Sequence, residues 1–410
     1  MSPIVSSPLE IRWSNKYLGG GTPVTVSMVG FLTDVGWAFA AIATVGTAYA
    51  LLAAILAGRF MQAPQNIAAH SPDVTILKPL HRCEPDLLRN LETFFEQKYP
   101  GAVQIVFGVH DENDPVVEVV RELQARYPHF DTAIVADAAR YGANAKVSNL
   151  INMLPQAKHD TLVLSDSDIA VGPQWLSQVT AALARPGVGI VTCLYTGEPA
   201  RDGHILWSAL AAMSTSYTFL PNAVLGKSLG LAAPCFGSTI ALRRRTLDEV
   251  GGFAAFADQL ADDYEMGRAV RDRGYTLAIP AMGVGHTAAE NSLLDLFRHE
   301  LRWSRTIRLV NPAGHLGSFV THGFAFALIA AVLLGFNPSS LTILACALVA
   351  RLFLKLRIDG LFGTYAGPLW LMPARDLLSF AVFLTSLFGE TVHWRGTHFA
   401  VEPSGAMSQI

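Results

Sequence analysis

The sequence is poor in cysteine and in charged residues, and each shortage excludes a class of protein. Only four of the 410 residues are cysteines, and they stand far apart at Cys83, Cys193, Cys235 and Cys346. Without a C-x-x-C pair, neither a disulfide framework nor a structural zinc site is expected. Charged residues make up 15% of the chain, and the formal net charge is −3. The chain therefore lacks the basic footprint of a nucleic-acid-binding protein, and we predict no nucleic-acid partner.

Apolar residues are abundant instead, at 51% of the chain, and they are concentrated towards its two ends. Val35 to Gly58 is an uncharged run that is long enough for the roughly 20 residues of a membrane-spanning helix. Met1 to Asp34 lacks the charged lead-in of a cleaved signal peptide, so we expect this helix to be retained as an anchor. Three further candidate spans lie at residues 318–336, 341–354 and 369–388.

Charged residues interrupt the later candidate spans. Arg351 lies inside the second candidate, and Arg375 and Asp376 interrupt the third, so tilted or re-entrant helices remain possible there. Cations between the last two candidates predict that this segment faces the cytoplasm; they are Lys355, Arg357 and Arg375. Following the chain back across the spans, residues 59–310 are then predicted to be cytoplasmic as well.

The middle of the chain has the pattern of an α/β domain. From Ser71 to about Tyr195, short β-rich runs alternate with amphipathic stretches of helical length. Each stretch opens with a proline, which favours the first turn of a helix; these are Pro85, Pro115 and Pro173. The alternation predicts a mostly parallel sheet with helices on both faces. Ligands of such sheets bind beyond the carboxyl ends of the strands.

Two aspartates follow the apolar run in "TLVLSDSDIAV", at Asp166 and Asp168. Residues two apart on an extended segment point the same way, so both carboxylates can face one ion. Mg²⁺ and Mn²⁺ prefer oxygen ligands, and Mg²⁺ often binds through one or two carboxylates together with substrate phosphates. The pattern predicts a divalent cation that carries a diphosphate. The alternative is a solvated turn that caps the next helix.

A second acidic pair, Asp262 and Asp263, begins an amphipathic helix in "ADDYEMGRAVRDRGY". Carboxylates in a first helical turn are stabilised by the helix dipole, which is one sufficient explanation of the pair. The other is a general base, which needs a carboxylate held near a reacting hydroxyl. The residues alone do not separate these two possibilities.

A basic helix precedes the later candidate spans, in "NSLLDLFRHELRWSRTIRLV". Its arginines Arg298, Arg302 and Arg305 share one face, and Trp303 is a suitable interfacial anchor. A basic amphipathic helix directly before a span is expected to lie at the membrane surface.

Taken in order, these motifs resemble the ceramide glucosyltransferase family, glycosyltransferase family 21, and its bacterial hopanoid-biosynthesis relatives. The resemblance extends from Lys78 to Arg395 and includes "KPLHRCEPDLL", "DENDP", "GANAKVSNL", "CFGSTIALRRRTLDEVGGF", "HELRW" and "HWRG". It implies a GT-A fold and a membrane-bound, inverting enzyme that uses Mg²⁺ or Mn²⁺. Such an enzyme moves one sugar, glucose or N-acetylglucosamine, from a UDP-sugar donor to a hydroxyl of a membrane lipid such as ceramide or a hopanoid.

The resemblance also implies residue roles. Asp111 resembles the nucleotide-binding aspartate, and Asn144 and Lys146 resemble an N-x-K loop that meets the donor phosphates. Asp166 and Asp168 resemble the metal-binding motif, with Asp166 also reaching the donor. Asp263 resembles the catalytic base. Arg302 and Trp303 resemble the end of a (Q/R)xxRW motif that grips the diphosphate and acceptor region.

One motif departs from the family. His299 stands where the family has Gln or Arg, which disfavours a processive polysaccharide synthase. Such a synthase, and a non-catalytic membrane-anchored sensor of nucleotide sugars or metal, remain the alternatives. His286 is a possible further metal ligand, but a lone histidine is more often structural, so it is not included in the predicted site. The apolar stretch from Ser214 is interpreted as a lipid-facing loop, with ordinary core as the alternative.

The predicted organisation of the chain combines these observations. It has an N-terminal tail (1–34), a transmembrane helix (35–58), a cytoplasmic GT-A domain that ends in an interfacial helix (71–315), about three transmembrane or re-entrant helices (316–390) and a C-terminal tail (391–410). The protein is thus predicted to be an integral membrane protein whose catalytic domain faces the cytoplasm.

Overall fold

The structure, a computed structural model, describes residues 10–12, 25–63, 71–202, 204–389, 391–394, 397–401 and 407–409. Most of the predicted N-terminal tail lies outside the described residues. Arg395 and Gly396 of the "HWRG" motif also lie outside them.

Strands and helices alternate through the middle of the chain, and helices dominate towards both ends. The strands are β1 (Glu10–Arg12), β2 (Thr25–Ser27), β3 (Val74–Pro79), β4 (Val103–Val109), β5 (Asp131–Ala136), β6 (Thr161–Leu164), β7 (Ile169–Ala170), β8 (Val188–Thr192), β9 (Leu194–Pro199), β10 (Ile240–Arg243), β11 (Thr276–Ala278), β12 (Gly283–Ala288), β13 (Thr391–Trp394), β14 (Thr397–Val401) and β15 (Met407–Gln409). The helices are α1 (Met28–Met61), α2 (Leu87–Phe95), α3 (Val116–Arg126), α4 (Ala145–Met153), α5 (Trp175–Leu183), α6 (Ile205–Ser214), α7 (Leu220–Ser228), α8 (Arg244–Glu249), α9 (Asp262–Asp272), α10 (Leu293–Val310), α11 (Pro312–Gly317), α12 (Gly323–Leu333), α13 (Pro338–Phe362) and α14 (Met372–Ser386).

A seven-stranded sheet in the order β11-β8-β10-β6-β3-β4-β5 forms the centre of the middle domain. Its strands pair in parallel except for β10, which runs antiparallel to both of its neighbours. The helices α2, α3 and α5 begin one or two residues after the three predicted prolines. The prediction of an α/β fold with a mostly parallel sheet is therefore confirmed.

Helices cover both faces of the sheet. Successive strand residues point to opposite sides, so apolar side chains on both faces need a helical layer to pack against. On β3, Ile76 packs in the cluster formed with α2, α3 and α5. Its neighbour Leu77 packs in the opposite cluster, with α4, α8 and α9. The core thus fixes the sheet between two helical layers, and the carboxyl ends of β3, β4 and β6 reach the same edge.

A smaller sheet, in the order β7-β12-β9, stands next to this edge. Its central strand β12 pairs in parallel with β9 and antiparallel with β7. The two-residue strand β7 follows directly after the "SDSD" segment, so the small sheet begins where the acidic motif ends.

The apolar ends of the chain come together in one helical group. α1 packs against α12, and Gly46 approaches Gly323 closely enough that a Cβ at position 46 would lie 2.5 Å from the Gly323 Cα. Among the described residues, two helical segments are long and apolar enough to cross a membrane, Met28–Met61 and Pro312–Leu333. The predicted span 35–58 lies inside α1, while residues 318–336 divide into a 3₁₀ turn (Ser318–His322) and α12.

The charges inside the later apolar segments are used in buried ion pairs. Arg351 of α13 binds Asp376 of α14 through two hydrogen bonds of 2.9 and 2.7 Å. Arg375 binds Glu300 of α10 through two bonds of 2.6 Å, and Lys355 binds Asp359 at 2.6 Å. Buried charges require such partners, since leaving water costs several kcal/mol per ion.

These ion pairs correct one step of the sequence analysis. The prediction of a cytoplasmic orientation treated Lys355, Arg357 and Arg375 as cations of an exposed segment between two spans. Lys355 and Arg375 are instead buried in helices and paired, and only Arg357 is exposed. The orientation of the domain stays a prediction.

The stretch from Ser214 is helical as far as Ser228, which corrects the interpretation of a loop for that part. α6 continues through a π-helical turn (Thr215–Phe219) into α7, and Tyr217 in that turn is fully buried. The Tyr217 hydroxyl donates to Asp359 Oδ1 at 2.5 Å, so the turn is attached to α13. π-helical turns of this kind often occur at functional sites.

The close approach of α1 and α12 gives a stability prediction. Gly46→Ala should lower the melting temperature of the detergent-solubilised protein, because the new Cβ would meet the Gly323 Cα at 2.5 Å and the Val320 carbonyl oxygen at 2.7 Å. The expected cost is about 1–3 kcal/mol, typical of overpacking. Gly360→Ala is the matched control, because a Cβ there meets nothing within 4 Å. Helix propensity alone stabilises both variants by about 0.5–1 kcal/mol, so equal upward shifts would contradict the packing argument.

Candidate functional site

The segment between β6 and β7 presents two aspartates at the edge of the sheet. On one side, buried Lys78 at the end of β3 donates to the Asp166 carbonyl oxygen at 2.5 Å. On the other side, the Thr287 amide of β12 donates to the Asp168 carbonyl oxygen at 2.9 Å. The main chain is thus held at both aspartates, while their side chains remain 34% and 33% exposed. The carboxylates therefore face a cleft that is open to solvent.

Lys146, at the start of α4, joins two of the acidic groups. Its Nζ lies 2.7 Å from Asp166 Oδ1 and 3.6 Å from Asp262 Oδ2. Gly237 leaves the space for this contact, because a Cβ there would lie 2.7 Å from Asp166 Oδ2 and 3.1 Å from Lys146 Nζ. The residues 144–146 and 262–263, which are far apart in the sequence, are brought to the aspartate motif by this one ammonium group.

Asn144 is a positioning residue in the structure. Its side-chain oxygen accepts from the Lys146 and Val147 amides and caps α4. Its side-chain nitrogen donates to the Gln259 carbonyl oxygen at 2.8 Å and to Asp262 Oδ1 at 3.2 Å. The amide is fully buried, and these bonds use all the hydrogen-bonding sites of an asparagine side chain. Asn144 therefore fixes Lys146 and Asp262, and its predicted direct contact with a donor stays a prediction.

The two aspartates that begin α9 have different surroundings. Asp262 is buried against Asn144 and Lys146. Asp263 is only half-buried; its Oδ2 accepts from the Gly237 amide and its Oδ1 from the Tyr264 amide, both at 2.8 Å. The geometry thus separates a structural aspartate from one that remains accessible from the cleft, which the sequence left open.

His286 and Tyr195, which the predicted site does not include, border the same cleft. His286 Nε2 of β12 lies 3.2 Å from Asp168 Oδ2, so this histidine is joined to the aspartate motif. The Tyr195 ring of β9 lies 5.5 Å from the imidazole of His286. Burial raises the pKa of Tyr195, and the charges of Asp263, Asp168 and Asp166 raise it further. Tyr195 thus lies beside His286, which is the partner of Asp168.

Trp303 of α10 reaches the site through His286. Its ring lies 5.9 Å from the His286 ring and 4.6 Å from the ring of His299. His299 in turn contacts Glu290 through Nδ1 and Oε1 at 2.5 Å. His299, which departs from the family motif, thus packs against Trp303 of the same motif. Arg302 is the half-buried neighbour of Trp303 on α10.

Asp111 lies at the same edge but is separate from the acidic cluster. It follows β4, and β3 lies between β4 and β6. Two strand spacings, about 10 Å in total, therefore separate it from the Asp166 motif. Its Oδ1 accepts from the amide and the side chain of Asn113. Its neighbour His110 contacts the Ala145 carbonyl oxygen at 2.8 Å, which links the β4 end to the start of α4.

The electrostatics of the cluster show an excess of negative charge. Burial would lower the pKa of Lys146, but Asp166, Asp262 and Asp263 outweigh burial and raise it. Burial raises the pKa of Asp166, and the neighbouring carboxylates raise it further in spite of Lys146. Burial also raises the pKa of Asp263, to about 6, and Asp262 adds to this shift. Burial raises the pKa of Asp168 too, but His286, Lys78 and Lys146 outweigh burial and lower it. Four carboxylates thus share one site with three basic groups, and a divalent cation would relieve the remaining repulsion.

The residues present fit such a cation. Asp168 Oδ1 is buried and has no hydrogen-bond partner within the described part of the chain. No group of three or more metal-binding side chains is found among the described residues. Two carboxylates with ligands supplied by a bound phosphate compound are the arrangement that suits Mg²⁺. Asp166 and Asp168 are therefore the residues that could hold the ion.

Some of these residues carried a usable signal in the sequence and others did not. His286 was visible as a histidine in a β-rich run, but its pairing with Asp168 arises only when β12 and β7 meet. Nothing in the local sequence marks Tyr195. Gly237 lies in the "CFGSTIALRRRTLDEVGGF" motif, but the motif does not indicate its role, because the importance of both residues comes from what lies opposite them in the fold.

The family match and the sequence relatives indicate one family. The family described as Glycosyl transferase family 21 matches residues 37–407. Ceramide glucosyltransferase 1 of Caenorhabditis elegans is 28% identical over 57% of this chain and 49% of its own length. Ceramide glucosyltransferase 3 of the same organism is 28% identical over 80% of this chain and 72% of its own length. The chain thus spans between about half and three quarters of these relatives.

Among solved structures, the mannosyltransferase PcManGT from Pyrobaculum calidifontis, in complex with GDP-Man and Mn²⁺, is 22% identical. The match covers 85% of this chain and 99% of that protein, with a TM-score of 0.47. A score of this size does not define a fold, so the architecture of the sheet rests on the strand pairing within this chain.

The space above Gly237 gives a prediction for cation binding. Gly237→Ala should weaken Mn²⁺ binding in the presence of UDP, because the new Cβ would displace Asp166 and Lys146. The expected loss is about 10–100-fold, which is the usual effect of disturbing residues around a metal ligand. Electron paramagnetic resonance of free Mn²⁺ measures this. Gly172→Ala, four residues after Asp168, is the control because its Cβ meets nothing within 4 Å. Equal Mn²⁺ affinities of both variants would contradict the assignment of the cation to Asp166.

Proposed function

The chain belongs to glycosyltransferase family 21, and from this premise we propose that it transfers one sugar from a UDP-sugar to a hydroxyl group of a membrane lipid. Ceramide and hopanoids are the proposed acceptors, and glucose or N-acetylglucosamine is the proposed sugar. One observation carries the proposal: Lys146 holds the Asp166 motif and the start of α9 together, so a cation-binding pair and an accessible carboxylate border one cleft.

The proposed donor site lies along the edge of the sheet. Asp166 and Asp168 would hold the divalent cation, and His286 fixes the orientation of Asp168 from 3.2 Å. The cation would neutralise the diphosphate as it leaves. Lys146 adds a positive charge beside it, and Asp111, about two strand spacings away, is the proposed contact of the nucleoside. Arg302 and Trp303 are the proposed contacts on the α10 side.

The proposed chemistry is a direct displacement with inversion. Asp263 takes the proton of the acceptor hydroxyl while the acceptor oxygen forms a bond to the anomeric carbon. The bond between that carbon and the diphosphate oxygen breaks, and UDP leaves with the electron pair. An α-linked donor then gives a β-glycoside. The Gly237 and Tyr264 amides, each 2.8 Å from Asp263, hold its carboxylate in place for this step.

The proposed acceptor reaches the site from a membrane. Two apolar helices long enough to cross it support an integral membrane protein, and the ion pair between Arg375 and Glu300 joins α14 to α10, the helix that carries Trp303. A lipid hydroxyl stays near the bilayer surface, so its enzyme needs an active site beside the membrane helices. We propose that this side is cytoplasmic, where UDP-sugars are available.

A four-way assay tests the function. Membranes containing the protein are given radiolabelled UDP-glucose or UDP-N-acetylglucosamine together with ceramide or bacteriohopanetetrol. The proposal expects an organic-soluble product with one sugar per lipid in at least one combination. A polymeric product would indicate a processive synthase, and UDP binding without transfer in any combination would indicate a sensor.

Replacing the proposed base gives a sharper prediction. Asp263→Asn should lower kcat by about a hundredfold to ten thousandfold, because an amide cannot accept the hydroxyl proton. UDP affinity, measured by calorimetry, should change much less than kcat, since Asp166 and Asp168 remain in place to hold the cation. Asp272→Asn, exposed at the other end of α9, is the matched control and should retain full activity. Full activity of Asp263→Asn would remove the carboxylate from the mechanism.

The pKa of Asp263 predicts the acid limb of the pH profile. Burial and the neighbouring Asp262 raise this pKa to about 6, and a general base works only when it is ionised. We therefore expect kcat/KM to fall by about tenfold per pH unit below this value and to level off above it. The profile is measured at saturating cation, with UDP binding followed over the same range. A plateau that continues down to about pH 5 would contradict a raised pKa.

A further inference from the structure

A groove of about 330 Å³ lies between α1 and α13, away from the acidic site. Its walls are apolar and come from Ala54, Ile55 and Phe353. Its mouth is polar and contains Arg59, Gln62 and Arg357. The groove shares no residue with the proposed donor or acceptor site. It therefore needs an explanation of its own.

The two arginines lie at a defined depth. Residues 35–58 of α1 carry no charged side chain and span about 36 Å at 1.5 Å per residue. The hydrocarbon core of a bilayer is about 30 Å thick. Arg59 follows this run directly, so it lies at the level of the lipid phosphates when Asp34 is at the opposite surface. This end of α1 leads into β3, so it is the end nearer to the catalytic domain.

Arg357 lies at the same level because it packs on α1 beside Arg59. A Cβ at Gly58 would lie 2.8 Å from the Nη2 atom of Arg357, so the guanidinium occupies the space that a side chain would fill. The glycine therefore brings the cation of α13 to the mouth of the groove.

The charges of this groove are not balanced within the described part of the chain. The neighbouring cations of α13 are paired, Arg351 with Asp376 and Lys355 with Asp359. Arg59 and Arg357 are exposed, and neither forms an ion pair with a carboxylate of the described residues. Two cations above an apolar channel, at the depth of the phosphates, complement a ligand with an anionic head and an apolar tail.

We propose that this groove binds an anionic phospholipid from the leaflet on the side of the catalytic domain. The phosphate accepts hydrogen bonds from Arg59 and Arg357, and Gln62 adds a donor at the headgroup. One acyl chain lies on Ile55 and Phe353. Arginine suits this task because its planar group binds phosphate through two parallel hydrogen bonds. The lipid would hold α1 and α13 together at the surface where the catalytic domain joins the membrane helices.

The test uses the full-length protein in nanodiscs of phosphatidylcholine with or without phosphatidylglycerol. Native mass spectrometry counts the phosphatidylglycerol molecules retained after release from the nanodisc. The wild type should retain at least one. The double variant Arg59→Gln with Arg357→Gln should retain it about tenfold less well, since each basic residue near the surface contributes measurably to the binding of anionic lipid. Unchanged retention by this variant would overturn the proposal.

A second variant separates the groove from general surface charge. Gly58→Leu keeps both arginines but fills the space beside Arg357, so it should lose the lipid as the double variant does. Gly360→Leu adds the same side chain to α13 where a Cβ meets nothing within 4 Å, and it should retain the lipid. If Gly58→Leu retains phosphatidylglycerol while the double variant loses it, the attraction is electrostatic only and the groove is not the site.

Folding and competition complete the test. Melting temperatures in phosphatidylcholine alone should be similar for the wild type and the double variant, because both arginines are exposed. Phosphatidylglycerol should raise the melting temperature of the wild type only. Inorganic phosphate should not displace the lipid, and displacement by it would show that the groove binds a free anion. Because lipid retention is measured rather than sugar transfer, the result is independent of the proposed enzyme activity.

Discussion

The arrangement of the cleft depends on the ammonium group of Lys146. It lies between Asp166, on the segment after β6, and Asp262, at the start of α9. Neither carboxylate could be brought so close to the other without it, because unpaired buried charges repel and are costly to desolvate. Asn144 fixes both Lys146 and Asp262 from one buried amide. One ion-pair network thus joins three separate parts of the chain and leaves Asp263 at the open side.

The pairing of opposite charges also organises the membrane-facing half of the molecule. Arg351, Arg375 and Lys355 lie in apolar segments, but each meets a carboxylate from the same or another helix. The pair of Arg375 with Glu300 joins α14 to α10, and Arg351 also donates to the Tyr217 carbonyl oxygen. Charges that seem to interrupt spans in the sequence are therefore the contacts that attach those helices to the rest of the protein.

The two halves meet at the π-helical turn. Tyr217 in this turn bonds Asp359 of α13, while Phe219 in the same turn packs 4.5 Å from the Tyr195 ring. Tyr195 borders the acidic cleft. A short path of packed side chains thus connects the membrane helices with the proposed reaction site. This contact gives the proposed lipid acceptor a structural connection to the carboxylates, and it explains why the turn is buried rather than a lipid-facing loop.

Local patterns in the sequence determined the α/β class, the long apolar helix of α1, the acidic motif and the family, because periodicity, proline positions and short motifs are properties of neighbouring residues. Asp166, Asp168 and Asp263 were found in this way, although their roles remain proposals. The tertiary structure alone decided which of Asp262 and Asp263 is buried, that Asn144 is fully used in positioning, and that His286 and Tyr195 border the cleft. It also decided that Lys355 and Arg375 are paired rather than exposed. These outcomes depend on which side chains meet across elements far apart in the chain, and no local pattern records such contacts.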